Sequence, residues 1–378
     1  MYSTKSVIAV LSAALVTLAS GCEGKSYGTE GCRQNQPEPV ADFSVDPFRT
    51  DVTFIAFGDT QEGGGASDKN DIQIAAINTF NEHLTWADAG KPSWGGIDHI
   101  RGIIMAGDIT QNGRDGRGFE ADEYGGFTKR YGLCGNKKVR YYMYEGYGNH
   151  DFYEWNNVAY SDGEHPIADS VAIRNGYRPG LINQAPGMDG HYSWDWDNIH
   201  FIQLNLTPSN VEPHYADGYT GLRSPRKALE YFVRDLQENV AGTTKKVIFI
   251  AHYGPWETFE WDQAQIDRLC TTVTQYRSQI LGYIHGHAHA TQKYSWCGIP
   301  IFNVGSPYYQ HYNSDSRGRF TVFRVKEDTH GNYDLVAADV SWDPNAWRAN
   351  QHGDYDLKMK TWQGFPFTAT STPHQQSP

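Results

Sequence analysis

Five short polar blocks punctuate the chain: Asp59-Thr60-Gln61, Gly107-Asp108, Gly148-Asn149-His150-Asp151, the lone His252, and Gly286-His287-Ala288-His289. Their side chains are carboxylates, imidazoles and neutral amides, the mixture of O and N donors that divalent transition metals take. In the third block an Asn amide able to bind a metal stands beside His150, which can carry a proton. Asp151 follows at once, where it could orient that imidazole and favour its charged form. In the fifth block the alternation of an extended segment puts His287 and His289 on one side, with only an alanine between them. Each block alone says little, because a strand-ending Asp is often a turn residue and an isolated buried His is usually a satisfied core residue. Five in order, each closing an apolar run, point to a metal centre with an acid–base group beside it.

The elements that must position these blocks are also legible. Val52 to Phe57 is apolar throughout, as in a strand buried on both faces, and ends at Asp59. Asp71 to Leu84 carries Ile74, Ile77, Phe80 and Leu84 at helical spacing. Gly102 to Ala106 leads into Asp108, Arg140 to Tyr147 into Asn149, Val247 to Ala251 into His252, and Leu281 to Ile284 into His287. Ser224-Pro225 predicts a helix start, followed by an apolar face of Leu229, Phe232, Val233, Leu236 and Val240. His191 to Trp196 and Ile199 to Leu206 flank Asp197-Asn198, a hairpin signal, and strand-like runs at Phe320 to Val325 and Leu335 to Val340 close the domain. Alternating strands and helices with a hairpin predict an α/β fold with mixed sheets, whose ligands gather at the carboxyl ends of strands.

Taken in this order, the blocks resemble the calcineurin-like metallophosphoesterase superfamily over roughly residues 52 to 305, in an exported, lipoprotein-type form. The resemblance implies a four-layer α/β/β/α sandwich of two mixed sheets with helices on the outer faces. It implies two metal ions, one held by Asp59, Gln61, bridging Asp108 and His289, the other by Asp108, Asn149, His252 and His287. His150 would contact the phosphate and protonate the leaving group, with Asp151 holding its other nitrogen. The implied activity is hydrolysis of phosphomonoesters by a metal-bridged hydroxide. Phosphodiester cleavage, of phospholipid headgroups or cyclic nucleotides, is one alternative, and a catalytically idle surface binding module is another.

Physical chemistry agrees with that inventory. Two ions about 3.5–4 Å apart lower the pKa of a bound water and clamp the attacking and leaving oxygens of a phosphate ester. Only Asp59 and Asp108 among the seven ligands are anionic, so two divalent ions leave an excess of positive charge to receive a phosphate. Position 61 departs from the commonest pattern, in which His stands there. A neutral amide suits Mn better than Zn or Fe, so Mn is expected ahead of both. Gln111 stands where purple acid phosphatases have Tyr, three positions after the bridging Asp, so no purple iron–tyrosinate is expected.

Composition sets the remaining bounds. The 378 residues carry a formal charge of −12 and 14% aromatics, which describes a folded protein and disfavours nucleic acid as a partner. Lys5 precedes the apolar run Val7 to Leu18 and the small residues before Cys22, which resembles a bacterial lipoprotein signal. The expected organisation is a signal at 1–21, a tether at 22–50, a catalytic domain at 51–342 and a tail at 343–378. The protein is then expected in the cell envelope, periplasm or outer membrane, lipid-anchored through Cys22, or else secreted. Cys32, Cys134, Cys270 and Cys297 would supply one or two disulfides. Tyr147, Tyr153, Trp155, Trp256, Trp261, Tyr308 and Tyr309 lie near the ligand blocks, to wall a cleft or fill the core. Arg223, Arg226 and Lys227 could help bind an anionic substrate, and His285 and His311 are expected to be structural or exposed.

Overall fold

The computed structural model describes residues 49–63, 67–116, 121–152, 166–176, 182–184, 190–211, 225–255, 262–307, 317–343 and 357–361. The strands are β1 (Asp51–Phe57), β2 (Ile100–Met105), β3 (Met143–Tyr144), β4 (Asn183–Gln184), β5 (Tyr192–Trp196), β6 (Ile199–Gln203), β7 (Lys246–Ile250), β8 (Ile280–His285), β9 (Thr291–Trp296), β10 (Ile299–Val304), β11 (Gly318–Glu327), β12 (Tyr333–Trp342) and β13 (Lys358–Thr361). The α-helices are α1 (Ser67–His83), α2 (Glu123–Arg130), α3 (Pro166–Asn175), α4 (Ala228–Asn239) and α5 (Gln263–Gln275).

The strands form two mixed sheets, one of six in the order β13-β12-β11-β1-β2-β3 and one of seven in the order β4-β5-β6-β7-β8-β10-β9. β1, β2 and β3 run parallel in the first, as do β6, β7, β8 and β10 in the second. Along β1 the side chains alternate between two cores: Phe54 and Ala56 face the second sheet, while Ile55 and Phe57 join the outer layer. The layer between the sheets is aromatic, with Phe54 stacked on Phe323 at 4.8 Å and Trp194 on Phe201 at 5.2 Å. Outside, Phe80 of α1 packs edge-on to Phe320, and Phe232 of α4 lies 4.8 Å from Phe249. This is the α/β sandwich the sequence predicts.

Local differences from expectation have local causes. Only Met143 and Tyr144 of the third run are strand, because pairing to β2 is confined to Ile103 and Ile104. α4 begins at Ala228 behind Lys227 in a left-handed conformation, not at Pro225, although Leu229, Phe232 and Leu236 form the buried face as foreseen. β13 comes from the stretch read as a tail and pairs antiparallel with β12. Cys270 and Cys297 form a disulfide between α5 and the β9–β10 turn, and Cys134 is also disulfide-bonded. The signal, the tether up to residue 48 with Cys22 and Cys32, Arg223, Ser224, Tyr153, Trp155, Trp256, Trp261, Tyr308, Tyr309, His311 and most of the tail lie outside the described residues. Among the described residues no helix is long and apolar enough to cross a membrane.

Candidate metal centre

All five blocks follow the carboxyl ends of parallel strands, three in one sheet and two in the other. β1 delivers Asp59, β2 Asp108, β3 Asn149 and His150, β7 His252, and β8 His287 and His289. Beyond the strands the first two blocks still run side by side: Asp59 N–H donates to Gly107 O at 2.9 Å, and Gln61 N–H to Asp108 O at 3.0 Å. Asp59, Gln61, Asp108, His287 and His289 all have left-handed backbones, with φ of 58°, 40°, 54°, 66° and 45°. Non-glycine residues held there cost about 1–3 kcal/mol each and persist only where the surroundings impose them. The neighbouring glycines make room. A Cβ on Gly107 would overlap the His252 ring, and one on Gly148 the Asp108 carboxylate.

The donor atoms converge in two groups that share Asp108: Asp108 with His252 and His287, and Asp108 with Asp59 and His289, each group within 4.8 Å. His252 Nε2 lies 3.2 Å from Asp108 Oδ1 and 2.8 Å from Asn149 Oδ1, and His287 Nδ1 lies 3.0 Å from the same Asn149 oxygen. His289 Nε2 is 3.2 Å from Asp59 Oδ1, and Gln61, two residues after Asp59, is buried. Ligands about 2.0–2.2 Å from a common ion stand at such separations from one another. One oxygen decides the fit: Asp108 Oδ2 is buried without a hydrogen-bond partner, as the shared carboxylate of a metal pair should be. His252 is oriented from behind, its Nδ1–H donating to Ala106 O at 2.8 Å so that Nε2 faces inward.

The electrostatics point the same way. Burial opposes charge on His252, but the Asp108 carboxylate outweighs it and raises the imidazole to about 10. Burial would raise Asp108, yet the charges of His252 and His150 hold it well below the usual carboxylate range. Burial, with the charge on His252 behind it, pushes His287 well below its ordinary value, so this ring is a neutral donor. With its Nδ1 proton committed to Ala106 and two oxygens facing its Nε2, His252 must carry a second proton or a metal.

No family model matches the sequence, and no curated protein matches it either. Solved structures do align. GAP50, the anchor in the inner membrane complex of Plasmodium, is 13% identical with a TM-score of 0.45, over 77% of this chain and 84% of its own. A putative 5'-nucleotidase from Staphylococcus aureus is 12% identical with a TM-score of 0.39, over 76% of this chain and 53% of its own. The phosphopantetheinyl hydrolase of Mycobacterium tuberculosis is 11% identical with a TM-score of 0.37, over 84% of this chain and 98% of its own. Likenesses of this size carry no conclusion about activity.

His150 sits at the rim of the clusters. Its Nδ1–H donates to the carbonyl of Gln111 at 2.8 Å, its Nε2 lies 4.0 Å from Asp108 Oδ2, and its side chain is 27% exposed where that of Asp108 is 1%. The predicted role of Asp151 needs correction, because its carboxylate does not hold His150. Asp151 is fully buried and accepts from Ile109 N–H, Thr110 N–H and Oγ1, and Gly148 N–H, at 2.8–3.1 Å. Those backbone donors follow Asp108 and precede Asn149, so Asp151 fastens two ligand loops together while a main-chain carbonyl orients the imidazole. Tyr147 is core, packed edge-on to Phe152, and Arg226 pairs with Asp169 and lies over Tyr147. His285 is buried and bonds Tyr294 Oη, a structural role as expected. Sequence reasoning missed Gln203 and Asn205 at the end of β6, whose only signal is an Asn past a strand end.

Proposed function

We propose that the chain is a metal-dependent hydrolase of phosphate esters, acting on monoesters ahead of diesters. The observation that carries this reading is the pair of donor clusters sharing Asp108, whose Oδ2 is buried without a partner. Asp59, Gln61, Asp108 and His289 would hold one ion, and Asp108, Asn149, His252 and His287 the second. Such ions supply Lewis-acid polarisation and a water of lowered pKa. Gln61 in place of an imidazole favours Mn over Zn or Fe. Two carboxylates against two divalent charges leave a positive excess, which favours a dianionic monoester over a monoanionic diester.

His150 performs the proton transfer. With Nδ1–H anchored on Gln111, the protonated ring presents Nε2–H toward Asp108 and the rim, where it donates to the leaving-group oxygen. Asp151 holds the loops that carry Asp108 and Asn149 in one arrangement, which keeps the donor set assembled before substrate arrives. The Cys270–Cys297 disulfide supports an oxidising compartment, in keeping with export behind the Val7–Leu18 run and anchoring through Cys22.

The test is hydrolysis of a chromogenic phosphate monoester and its diester counterpart by Mn-loaded protein, with His150→Ala and Asp108→Ala alongside. Preference for the monoester, lost in both variants, supports the proposal. Preference for the diester keeps the enzyme and reverses the substrate class. No turnover of either ester with Mn, Zn or Fe, together with no bound metal, would favour the surface binding module.

A further inference from the structure

We infer that Asn205 is a positioning residue that sets the spacing between Asn149 and His252, the two ligands that reach the second metal position from different sheets; this rests on the metal-centre reading above. Asn149 arrives from the first sheet and His252 from the second. Asn205, just past the end of β6, holds the approach to both. Its carbonyl accepts from His252 N–H at 2.6 Å, and its side-chain Oδ1 accepts from Tyr147 N–H, two residues before Asn149, at 3.2 Å. A single residue thus grips the backbone of one ligand and the lead-in to the other.

The rest of Asn205 is equally committed. Its N–H donates to Gln203 Oε1 at 3.3 Å, and Gln203 Nε2 donates across to Met105 O, at the end of β2, at 3.0 Å. Its Nδ2 donates to Gly190 O at 2.7 Å and to His191 Nδ1 at 3.1 Å. His191 then donates from Nε2 to the carbonyls of Pro225 and Arg226, at 3.1 and 3.2 Å. This chain of donors fixes the amide's orientation, since a flipped amide would set oxygen against the Gly190 carbonyl and nitrogen against the Tyr147 N–H. Asn205 is 1% exposed and has a φ of 58°. Asn tolerates that left-handed backbone where branched residues do not, and only an amide both accepts from one loop and donates to another. Both polar atoms of its side chain are taken up by Tyr147, Gly190 and His191, so its effect on metal is through Asn149 and His252.

The test is a Mn titration followed by calorimetry, on the full chain and on Asn205→Gly and Asn205→Asp. Glycine keeps the left-handed backbone and deletes the side chain, whereas aspartate keeps the acceptor toward Tyr147. Wild-type protein is expected to take up two Mn. Asn205→Gly should lose at least about tenfold in affinity at one position, with the other unchanged, as outer-shell partners of metal ligands do. Asn205→Asp keeps the acceptor toward Tyr147 but sets an oxygen against the Gly190 carbonyl, so it should recover part of that loss, and circular dichroism should show both variants folded. Two unchanged sites in Asn205→Gly would overturn the inference and leave the metal centre standing. Equal weakening of both sites in Asn205→Gly, or an unfolded Asn205→Gly beside a folded Asn205→Asp that weakens both sites equally, would reduce the residue to a general structural role and overturn it. No Mn bound by the wild type would overturn the metal-centre reading itself, and this inference with it.

Discussion

Two clusters of histidine and carboxylate, one on the second sheet and α4 and one drawn from the strand ends of both sheets, are built on opposite principles. In one, His200 of β6 stands between Asp195 and Asp235, each ring nitrogen 2.6 Å from a carboxylate oxygen. Asp235 also accepts from Ser193 and Asn239, and Asp195 from Lys245 at 2.8 Å. Every residue there has an ordinary backbone, and its ring nitrogens face opposite ways, so nothing converges on one point. In the other, around Asp108, donor atoms from four loops converge in two groups with Asn149 of a fifth loop against them, five candidate ligand backbones are left-handed, and a buried oxygen lacks a partner. Burial of a histidine beside an aspartate therefore marks neither function nor stability by itself. Convergence, strain and an unfilled acceptor separate the site from the clamp.

Substitutions should divide along that line. Asp108→Ala, which removes a donor from both groups, should abolish ester hydrolysis and the uptake of both Mn ions, read by initial rates and metal content. Strong chelation of the wild type should match it, and Mn should restore activity. His150→Ala should lower kcat by about 10²–10⁴-fold while both ions remain bound, the signature of a lost acid rather than a lost ligand. Asp151→Asn should cost about 10–100-fold in Mn affinity or turnover, because it loosens the loops without removing a ligand. If Asp151 instead held His150, its loss would leave metal affinity untouched.

The clamp should respond in the other currency, stability. His200→Gln leaves the buried Asp235 without its cation, while the exposed Asp195 keeps Lys245, so it should lower unfolding free energy by about 3–5 kcal/mol and leave kcat at the wild-type value. Urea unfolding beside ester hydrolysis checks both halves. The smallest effect is its pH dependence. Burial opposes charge on His200, but Asp195 and Asp235 raise it above its ordinary 6.5, so its contribution is complete below about 6.5 and fades as pH rises through the folded value. Lys245 and His200 lower Asp195 against its burial, so that contribution is present above about 3.8 and fades below it. The stability gap between wild type and His200→Gln should therefore narrow from pH 6 to pH 9.

What could be read from the chain alone follows from the range of each interaction. A strand buried on both faces writes itself as an apolar run, and a ligand at its end writes itself as a polar break, so Asp59, Asp108, Asn149, His252, His287 and His289 were legible. Gln61 was singled out by its place after Asp59, and of it the structure shows burial and a left-handed backbone. The direction of Asp151 was not, because its partners at Ile109 and Thr110 lie about forty residues away and only the tertiary fold brings their N–H groups to it. Asn205 hid for the same reason: an asparagine after a strand reads as a turn, and nothing local shows that it faces Tyr147 and His252. The length of β3 was set by its partner β2, and the start of α4 by a left-handed Lys227, neither of which a periodicity can show.

The left-handed backbone at five candidate ligand positions also shapes which sequences lie one mutation away. At Asp59, Asp108, His287 or His289, a change to a branched or bulky residue is penalised twice, in donor chemistry and in φ, and tends to remove the fold along with the metal. A change to Asn or Gly is spared the second penalty. The mutational neighbourhood of this chain is therefore asymmetric: the shortest paths away from a working centre lead to folded, metal-poor proteins with the same outer surface, ready to be kept for whatever that surface can hold.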